Sequence, residues 1–397
     1  MNRRLDNPGV ARLSAFGDTI FATMSKLATE HDAVNLGQGF PDASGPSRML
    51  EIAREEIAAG NNQYAPGRGM PVLREAISVQ RGRDYGLTYD PDTEILVTVG
   101  ATEGIAATVL GLVEPGEEVI VFEPYYDAYA AAIALAGARR VAVPLAADGD
   151  TWTIDADAFE AAITERTALV IINNPHNPTG SVLDLGEFAR ICVEHDLLVL
   201  SDEAYEYLVY DGRTHLPVAS LEGMPERTVT VASAAKSFNV TGWKTGWAMA
   251  PAPLIDAVTA AKQYLSYVGV TPVQPAVAHG LLHEREWVRG MVASLQERRD
   301  LLSGLLVDAG LTAHPSAGTY FLIADTGADT VDGVRWCSDL IADKGVAAIP
   351  VEVFADDKGP WRSKMRFTFC KSEESIREAG RRLRGDWKAT SLFTSVG

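Results

Sequence analysis

Cysteine is scarce. There are three in 397 residues, Cys192, Cys337 and Cys370, and no two are close in sequence. An odd, scattered set argues against a disulfide framework and points to a reducing compartment. None has the C-x-x-C spacing of a zinc site. Positive charge is also in deficit. Against 53 Asp and Glu stand 35 Lys and Arg, giving a formal net charge of −18 and a pI near 4.8. Such a surface repels nucleic acid and anionic lipid. The acidic residues are spread out, with no block that reads as a tail. Long apolar runs are missing. The most apolar stretch, Ala128 to Ala138, is 11 residues and Ala-rich, whereas a membrane span needs about 20. The opening Met1-Asn2-Arg3-Arg4 leads into mixed polar sequence with no apolar h-region. These features predict a soluble, cytoplasmic chain that binds neither nucleic acid nor membrane.

Several chemical signatures are absent. No Gly-Lys dipeptide occurs, so there is no P-loop, and no G-x-G-x-x-G follows a predicted strand. A nucleotide-binding α/β protein therefore lacks support. His283-Glu284 continues into Arg285-Glu286-Trp287 and fails as a metalloprotease helix. There is no G-x-S-x-G elbow, and the seven histidines do not cluster.

What remains is ordinary globular composition, 47% apolar and 22% charged. At about 150 residues per domain, the length suggests two or three domains. No internal repeat is apparent. Strands are predicted at Ile95–Val99, Val119–Phe122, Leu169–Asn173, Leu197–Ser201 and Val229–Ala232. Helices are predicted at Thr102–Val113, Tyr126–Ala136 and Leu185–Glu194. The strands are continuous apolar runs, the pattern of a largely parallel sheet covered on both faces. From about Pro251, long helical periodicity appears at Leu254–Tyr267, Ala276–His283 and Trp287–Ala309. Strands then return at Tyr320–Ile323, Val346–Ile349 and Met365–Phe369. The expected division is an N-terminal arm and part of a small domain (1–47), a large domain (48–288) and a small α+β domain (289–397). The Gly-, Pro- and Asp-rich stretch Gly37–Gly45 suggests an extended arm folded back on the small domain.

Four segments fall at predicted strand ends, where an open α/β sheet gathers its ligands. Thr98-Val-Gly-Ala-Thr-Glu-Gly104 is a strand, a glycine turn and a helix start. Free N–H groups there suit phosphate, although a plain structural joint reads the same way. Asn173-Asn-Pro-His-Asn-Pro-Thr-Gly180 holds the backbone non-helical and lets Asn177 aim its amide at a ligand. Whether Asn177-Pro178 is cis stays open. Ser201-Asp-Glu-Ala-Tyr205 ends a buried strand with Asp202, a carboxylate that needs a cation or donors. Ser233–Trp247 carries two of the chain's nine lysines, Lys236 and Lys244, among glycines and tryptophans. An enclosed lysine can be a nucleophile or base at lowered pKa.

Together the four segments resemble the class I/II aminotransferases, in the family's order, from Asn35 to about Phe369. Asp202 precedes Lys236 by 34 residues, a spacing similar to the family's. Asn35-Leu-Gly-Gln-Gly-Phe-Pro-Asp42 resembles the branch of kynurenine, glutamine and methionine aminotransferases. Ser233–Trp247 and Ala261-Lys-Gln-Tyr-Leu-Ser-Tyr-Val268 look like the actinobacterial N-succinyldiaminopimelate aminotransferases of that branch. The resemblance implies fold type I: an α/β large domain, with a mostly parallel seven-stranded sheet between helices, plus a smaller α+β domain. It implies pyridoxal 5'-phosphate as cofactor, an L-amino acid and a 2-oxo acid as substrates, and a homodimer with shared active sites.

Roles follow from matched motifs. Lys236 would be the Schiff-base lysine and proton shuttle, and Asp202 would pair with the pyridine nitrogen. Asn177 and Tyr205 would hydrogen-bond the ring's phenolic oxygen, and Tyr126 would stack on the ring. Gly100, Ala101, Thr102, Ser233 and Lys244 would hold the phosphate, with Tyr64 reaching the phosphate of the partner subunit. Arg366 would grip the substrate α-carboxylate, helped by Asn177 and the Gly39 backbone. Phe21 and Phe40 would line the side-chain pocket.

No basic residue occurs in Val268–Pro275, roughly where aspartate aminotransferases of a related branch carry an arginine for the distal carboxylate. A pocket of Phe21, Phe40, Tyr64 and Tyr126 suits aromatic or thioether side chains, and still admits an N-succinyl chain. The sequence therefore reads as an aminotransferase with glutamate as expected donor, in lysine biosynthesis. The alternatives are a cysteine-S-conjugate carbon–sulfur β-lyase, or a kynurenine or methionine aminotransferase on the same scaffold. A non-catalytic amino-acid sensor fits less well, since Lys236, Asp202 and Arg366 are all kept.

Overall fold

The computed structural model describes residues 9–327 and 332–384. The opening Met1-Asn2-Arg3-Arg4 and the outermost parts of the expected first and last divisions lie outside the described residues. Seven strands form the main sheet, in the order Ile95–Val99, Thr245–Met249, Thr228–Ser233, Leu198–Asp202, Thr167–Asn173, Glu118–Glu123, Arg139–Pro144. All pairings are parallel except those of Thr245–Met249, which runs antiparallel to both neighbours. In its ladder Gly246 lies opposite Ser233 and Thr245 opposite Val99.

The sheet is covered on both faces because alternate residues of each strand feed different apolar layers. Val119, Val121, Leu169 and Ile171 pack with Ile255 and Val258, whereas Ile120, Phe122, Val170 and Ile172 pack with Phe188 and Ile191. This explains the unbroken apolar runs in the sequence. Two strands of this seven-stranded sheet have no counterpart in the sequence reading. Arg139–Pro144 is an edge strand whose arginines mask its apolar alternation. Thr245–Met249 begins within the lysine- and glycine-rich segment, where composition suggests a loop.

A smaller antiparallel sheet orders Thr312–Ala313, Phe321–Asp325, Lys364–Thr368 and Ile349–Pro350. The expected strand Val346–Ile349 is broken at Ala348. Val346–Ala347 pairs in parallel with Val34–Asn35, whereas Ile349–Pro350 joins Lys364–Thr368. The N-terminal segment thus lies against this part of the molecule. It also contains the helix Ile20–Glu30, capped by the Thr19 side chain, where the sequence reading expected an extended arm. The helix expected at Leu254–Tyr267 spans Ala252–Lys262. Past it, the Lys262 ammonium bonds back to the Tyr267 carbonyl, stabilising a non-helical turn. The helices Ala252–Lys262, Gln274–His283 and Arg285–Asp308 lie between the two sheets in sequence. No helix among the described residues is long and apolar enough to cross a membrane.

Candidate active site

A cavity of about 230 Å³ opens at the carboxyl ends of the parallel strands. The first wall is the joint after Ile95–Val99. Gly100 has φ 71° and starts the helix Gly100–Leu112, which brings Ala101 and Thr102 to the cavity. Glu103 accepts the Val99 N–H at 2.6 Å and caps the turn, leaving first-turn N–H groups for a ligand. Lys244, at φ 48°, crosses over this joint: a Cβ on Gly100 would sit 3.1 Å from Lys244 Nζ. Gly246 is required here, because a Cβ would lie 2.6 Å from the Gly100 carbonyl carbon.

Opposite, Ser233 ends a strand and caps the short helix Ala234–Ser237, its hydroxyl accepting from the Ala235 N–H at 3.1 Å. This presents Lys236 to the cavity. Its Nζ donates to the Gly39 carbonyl at 3.4 Å and lies 5.4 Å from the centre of the Tyr320 ring. Burial, joined by the nearby Lys244 and Arg366, lowers the Lys236 pKa to about 8. Asp202 is buried, accepting from the Tyr129 hydroxyl at 2.7 Å and from the Ala204 N–H at 3.1 Å. Burial raises its pKa, and among the described residues no cation lies within ion-pair distance of it.

The Asn173–Gly180 loop contains cis Asn174-Pro175 and Asn177-Pro178 bonds, which settles the isomer left open above. Asn173 Oδ1 accepts the Asn177 N–H at 2.7 Å, and Asn177 Oδ1 accepts from Arg366 at 2.9 Å. Arg366, on the strand Lys364–Thr368, is 2% exposed. Its second terminal nitrogen donates to the Gly37 carbonyl at 3.1 Å, its Nε has no partner, and no carboxylate pairs with it among the described residues. The guanidinium lies 3.9 Å from the Phe321 ring centre and 5.2 Å from that of Phe21. Burial lowers its pKa to about 10, so it stays charged at neutral pH.

The structure brings together Phe21, Gly39, Gly100, Ala101, Thr102, Tyr126, Asn177, Asp202, Tyr205, Ser233, Lys236, Lys244 and Arg366. Two expected residues do not line this cavity. Phe40 is 46% exposed, with its ring 3.7 Å from Lys371 Nζ, because the Gly37–Asp42 turn directs it outward. Tyr64 is 81% exposed and packs edge-on against Tyr267. Sequence reasoning missed Gln38, Asn173, Phe321 and Tyr129. Gln38 and Asn173 lie in motifs singled out in the sequence but were given no role there, and Tyr129 stands one helical turn after Tyr126. No group of His, Cys, Asp or Glu among the described residues could hold a metal.

These residues fit a phosphorylated pyridine aldehyde. There is an anion cradle at a helix start, a buried carboxylate with no ion-paired cation among the described residues, and a lysine of lowered pKa lining the same cavity. A family model described as "Aminotransferase class I and II" matches residues 31–383. A Mycobacterium tuberculosis protein described as a probable N-succinyldiaminopimelate aminotransferase is 53% identical, covering 94% of this chain and 97% of the relative. An Escherichia coli methionine aminotransferase is 40% identical, covering 94% of this chain and 97% of its own. A solved structure of N-succinyldiaminopimelate aminotransferase from M. tuberculosis superposes with a TM-score of 0.92 at 54% identity, over 94% of this chain and 99% of that one. The chain belongs to the class I and II aminotransferases, fold type I enzymes that depend on pyridoxal 5'-phosphate.

Proposed function

We propose that this aminotransferase moves the amino group of an L-amino acid, with glutamate as donor, to a 2-oxo acid of the N-succinyl-2-amino-6-oxopimelate type. The observation that carries the α-amino-acid part is Arg366, a buried guanidinium that lines the cavity with an orphaned Nε and, among the described residues, no carboxylate partner. A substrate α-carboxylate supplies what it lacks. The 53% identity to the mycobacterial relative supports the N-succinyl substrate.

When bound, the cofactor supplies an electron sink for the pair released at the substrate Cα. Asp202 would hold the ring nitrogen protonated, and Asn177 and Tyr205 would orient the phenolic oxygen. Ala101, Thr102, Ser233 and Lys244 would hold the phosphate. Lys236 would take the Cα proton and return it two atoms away, across the amine nitrogen, at the carbon that was the cofactor's aldehyde. Arg366 and Gly39 would hold the carboxylate so that the Cα–H bond faces Lys236. The exposed Tyr64, beside Tyr267, supports a homodimer in which it reaches the phosphate of the second active site.

The aromatic wall of Phe21, Tyr126 and Phe321 favours a second reading, with methionine or aromatic amino acids as substrates. Half-reactions followed by absorbance separate the two. Glutamate should discharge the yellow holoenzyme without releasing ammonia, and N-succinyl-2-amino-6-oxopimelate should restore the colour faster than the oxo acids of methionine or kynurenine. Faster recovery with those acids would overturn the N-succinyl assignment. Ammonia release with S-conjugates would favour β-elimination.

A further inference from the structure

The reverse side of the segment that ends the strand Leu198–Asp202 holds a second, buried set of charges. Arg81, on the helix Pro71–Tyr85, lies 3.4 Å from Glu203 and 3.2 Å from Glu206 through different guanidinium nitrogens. Arg81, Glu203, Glu206 and His215 are all buried. Glu203 also accepts from the Ser201 hydroxyl at 3.0 Å and the Val218 N–H at 3.1 Å, and meets His215 Nε2 at 3.0 Å. Glu206 accepts from the Tyr85 hydroxyl at 2.8 Å, and the Arg81 guanidinium lies 5.1 Å from the Tyr85 ring centre. Between the two glutamates the backbone turns, with the Glu206 N–H on the Glu203 carbonyl at 2.9 Å. Asp202, Ala204 and Tyr205 line the catalytic cavity, whereas Glu203 and Glu206 face Arg81.

We propose that Arg81, Glu203, Glu206 and His215 form a positioning unit for the transamination: they hold the 202–206 turn so that Asp202 and Tyr205 keep their places against the cofactor. The inference rests on the assignment of those two residues to the cofactor. One guanidinium clamps residues three apart, so it constrains both ends of the turn. Glu203 is held by four donors and has little freedom to rotate. The N–H of Ala204, inside the turn, donates to the Asp202 carboxylate, so movement of the turn passes directly to that carboxylate. Burial works against the charge on both carboxylates: it raises the pKa of Glu206, while at Glu203 His215 and Arg81 outweigh it.

The test uses holoenzyme carrying Glu206→Ala or Glu206→Gln. The groups facing Glu206 are Arg81, Glu203, His215, Tyr85 and Tyr207. Glu206→Ala should lower kcat by about tenfold or more, as a small misplacement at reacting groups does. KM for the donor, set at Arg366, should stay within about twofold. The pH midpoint of the bound cofactor's absorbance, which reports Asp202 and Tyr205, should move by about half a unit or more. Glu206→Gln keeps an acceptor oxygen for Arg81 and can donate its amide N–H to the Tyr85 oxygen, so it should restore both kcat and midpoint. A folded Glu206→Ala with native kcat and midpoint would overturn the proposal, as would a Gln variant as impaired as Ala. If Glu206→Ala does not fold, Tyr85→Phe should shift the midpoint in the same direction by less, and no shift counts against the idea. Asp202→Asn, run alongside, must itself move the midpoint. If it does not, the cofactor assignment is wrong and the positioning role falls with it.

Discussion

Lys236 and Arg366 are both cations of the cavity with no ion-paired carboxylate among the described residues, yet they solve the problem differently. Lysine can give up its proton, and burial brings its pKa from 10.5 to about 8. Below that value the folded chain carries a buried ammonium that cannot attack an aldehyde. In cofactor-free protein, the rate of pyridoxal phosphate attachment at Lys236 should therefore rise with pH to a plateau above about 8, whereas an exposed lysine would still be climbing near 10.5. Borohydride trapping and mass spectrometry at each pH would read this. Arginine keeps its charge and relies on carbonyl oxygens and ring faces until substrate arrives. Arg366→Lys loses the planar fork, so donor KM should rise about ten- to hundredfold, the worth of a charge-assisted hydrogen bond, with a smaller change in kcat. Steady-state kinetics with glutamate would check it. Both residues were legible in the sequence because their neighbours are unusual for exposed cations. Arg81 was not, since nothing around it in sequence separates a buried clamp from a surface arginine.

At the scale of elements, the phosphate cradle depends on how closely a strand and a helix start approach each other. The Gly246 Cα faces the Gly100 carbonyl carbon, the Ala101 nitrogen and the Ala232 carbonyl, all within 2.8 Å of where a Cβ would be. Gly246→Ala should push the helix start away. We expect a loss of about 1–3 kcal/mol in urea unfolding, the cost of overpacking, together with weaker cofactor binding. Gly242→Ala, where nothing lies within 4 Å, should be silent in the cofactor titration. The same closeness explains a gap in the sequence reading. Small residues that admit neighbouring backbone also read as a loop, so the strand Thr245–Met249 was hidden. The inner parallel strands, buried on both faces, were plain from their apolar runs. The helices Ser47–Ala58 and Pro71–Tyr85 carry enough charge to blur their apolar stripe.

For the whole molecule, the proposed dimer is the part no single chain displays. Tyr64 and Tyr264 are 81% and 86% exposed, beside the half-exposed Leu265 and Tyr267. Apolar surface of this kind marks an interaction face. Sedimentation should give about twice the 42.6 kDa chain mass. Tyr64→Phe should weaken cofactor binding about tenfold, a lost hydrogen bond to a charged group. The thermal midpoint should move little, since an exposed hydroxyl supports no core. A wholly monomeric, fully active protein would refute the shared site.

The antiparallel ladder also sets a rule of descent. Ser233 and Gly246 face each other across it, so the stretch bearing Lys236 is tied to the same sheet at both ends. Its length acts as a gauge between the lysine and the strand that ends in Asp202. One added or deleted residue would misplace the lysine by about 3.3–3.6 Å, the span of one residue. Insertions and deletions among working descendants of this scaffold should therefore collect outside residues 233–246, while substitutions inside that stretch remain open wherever a side chain faces solvent.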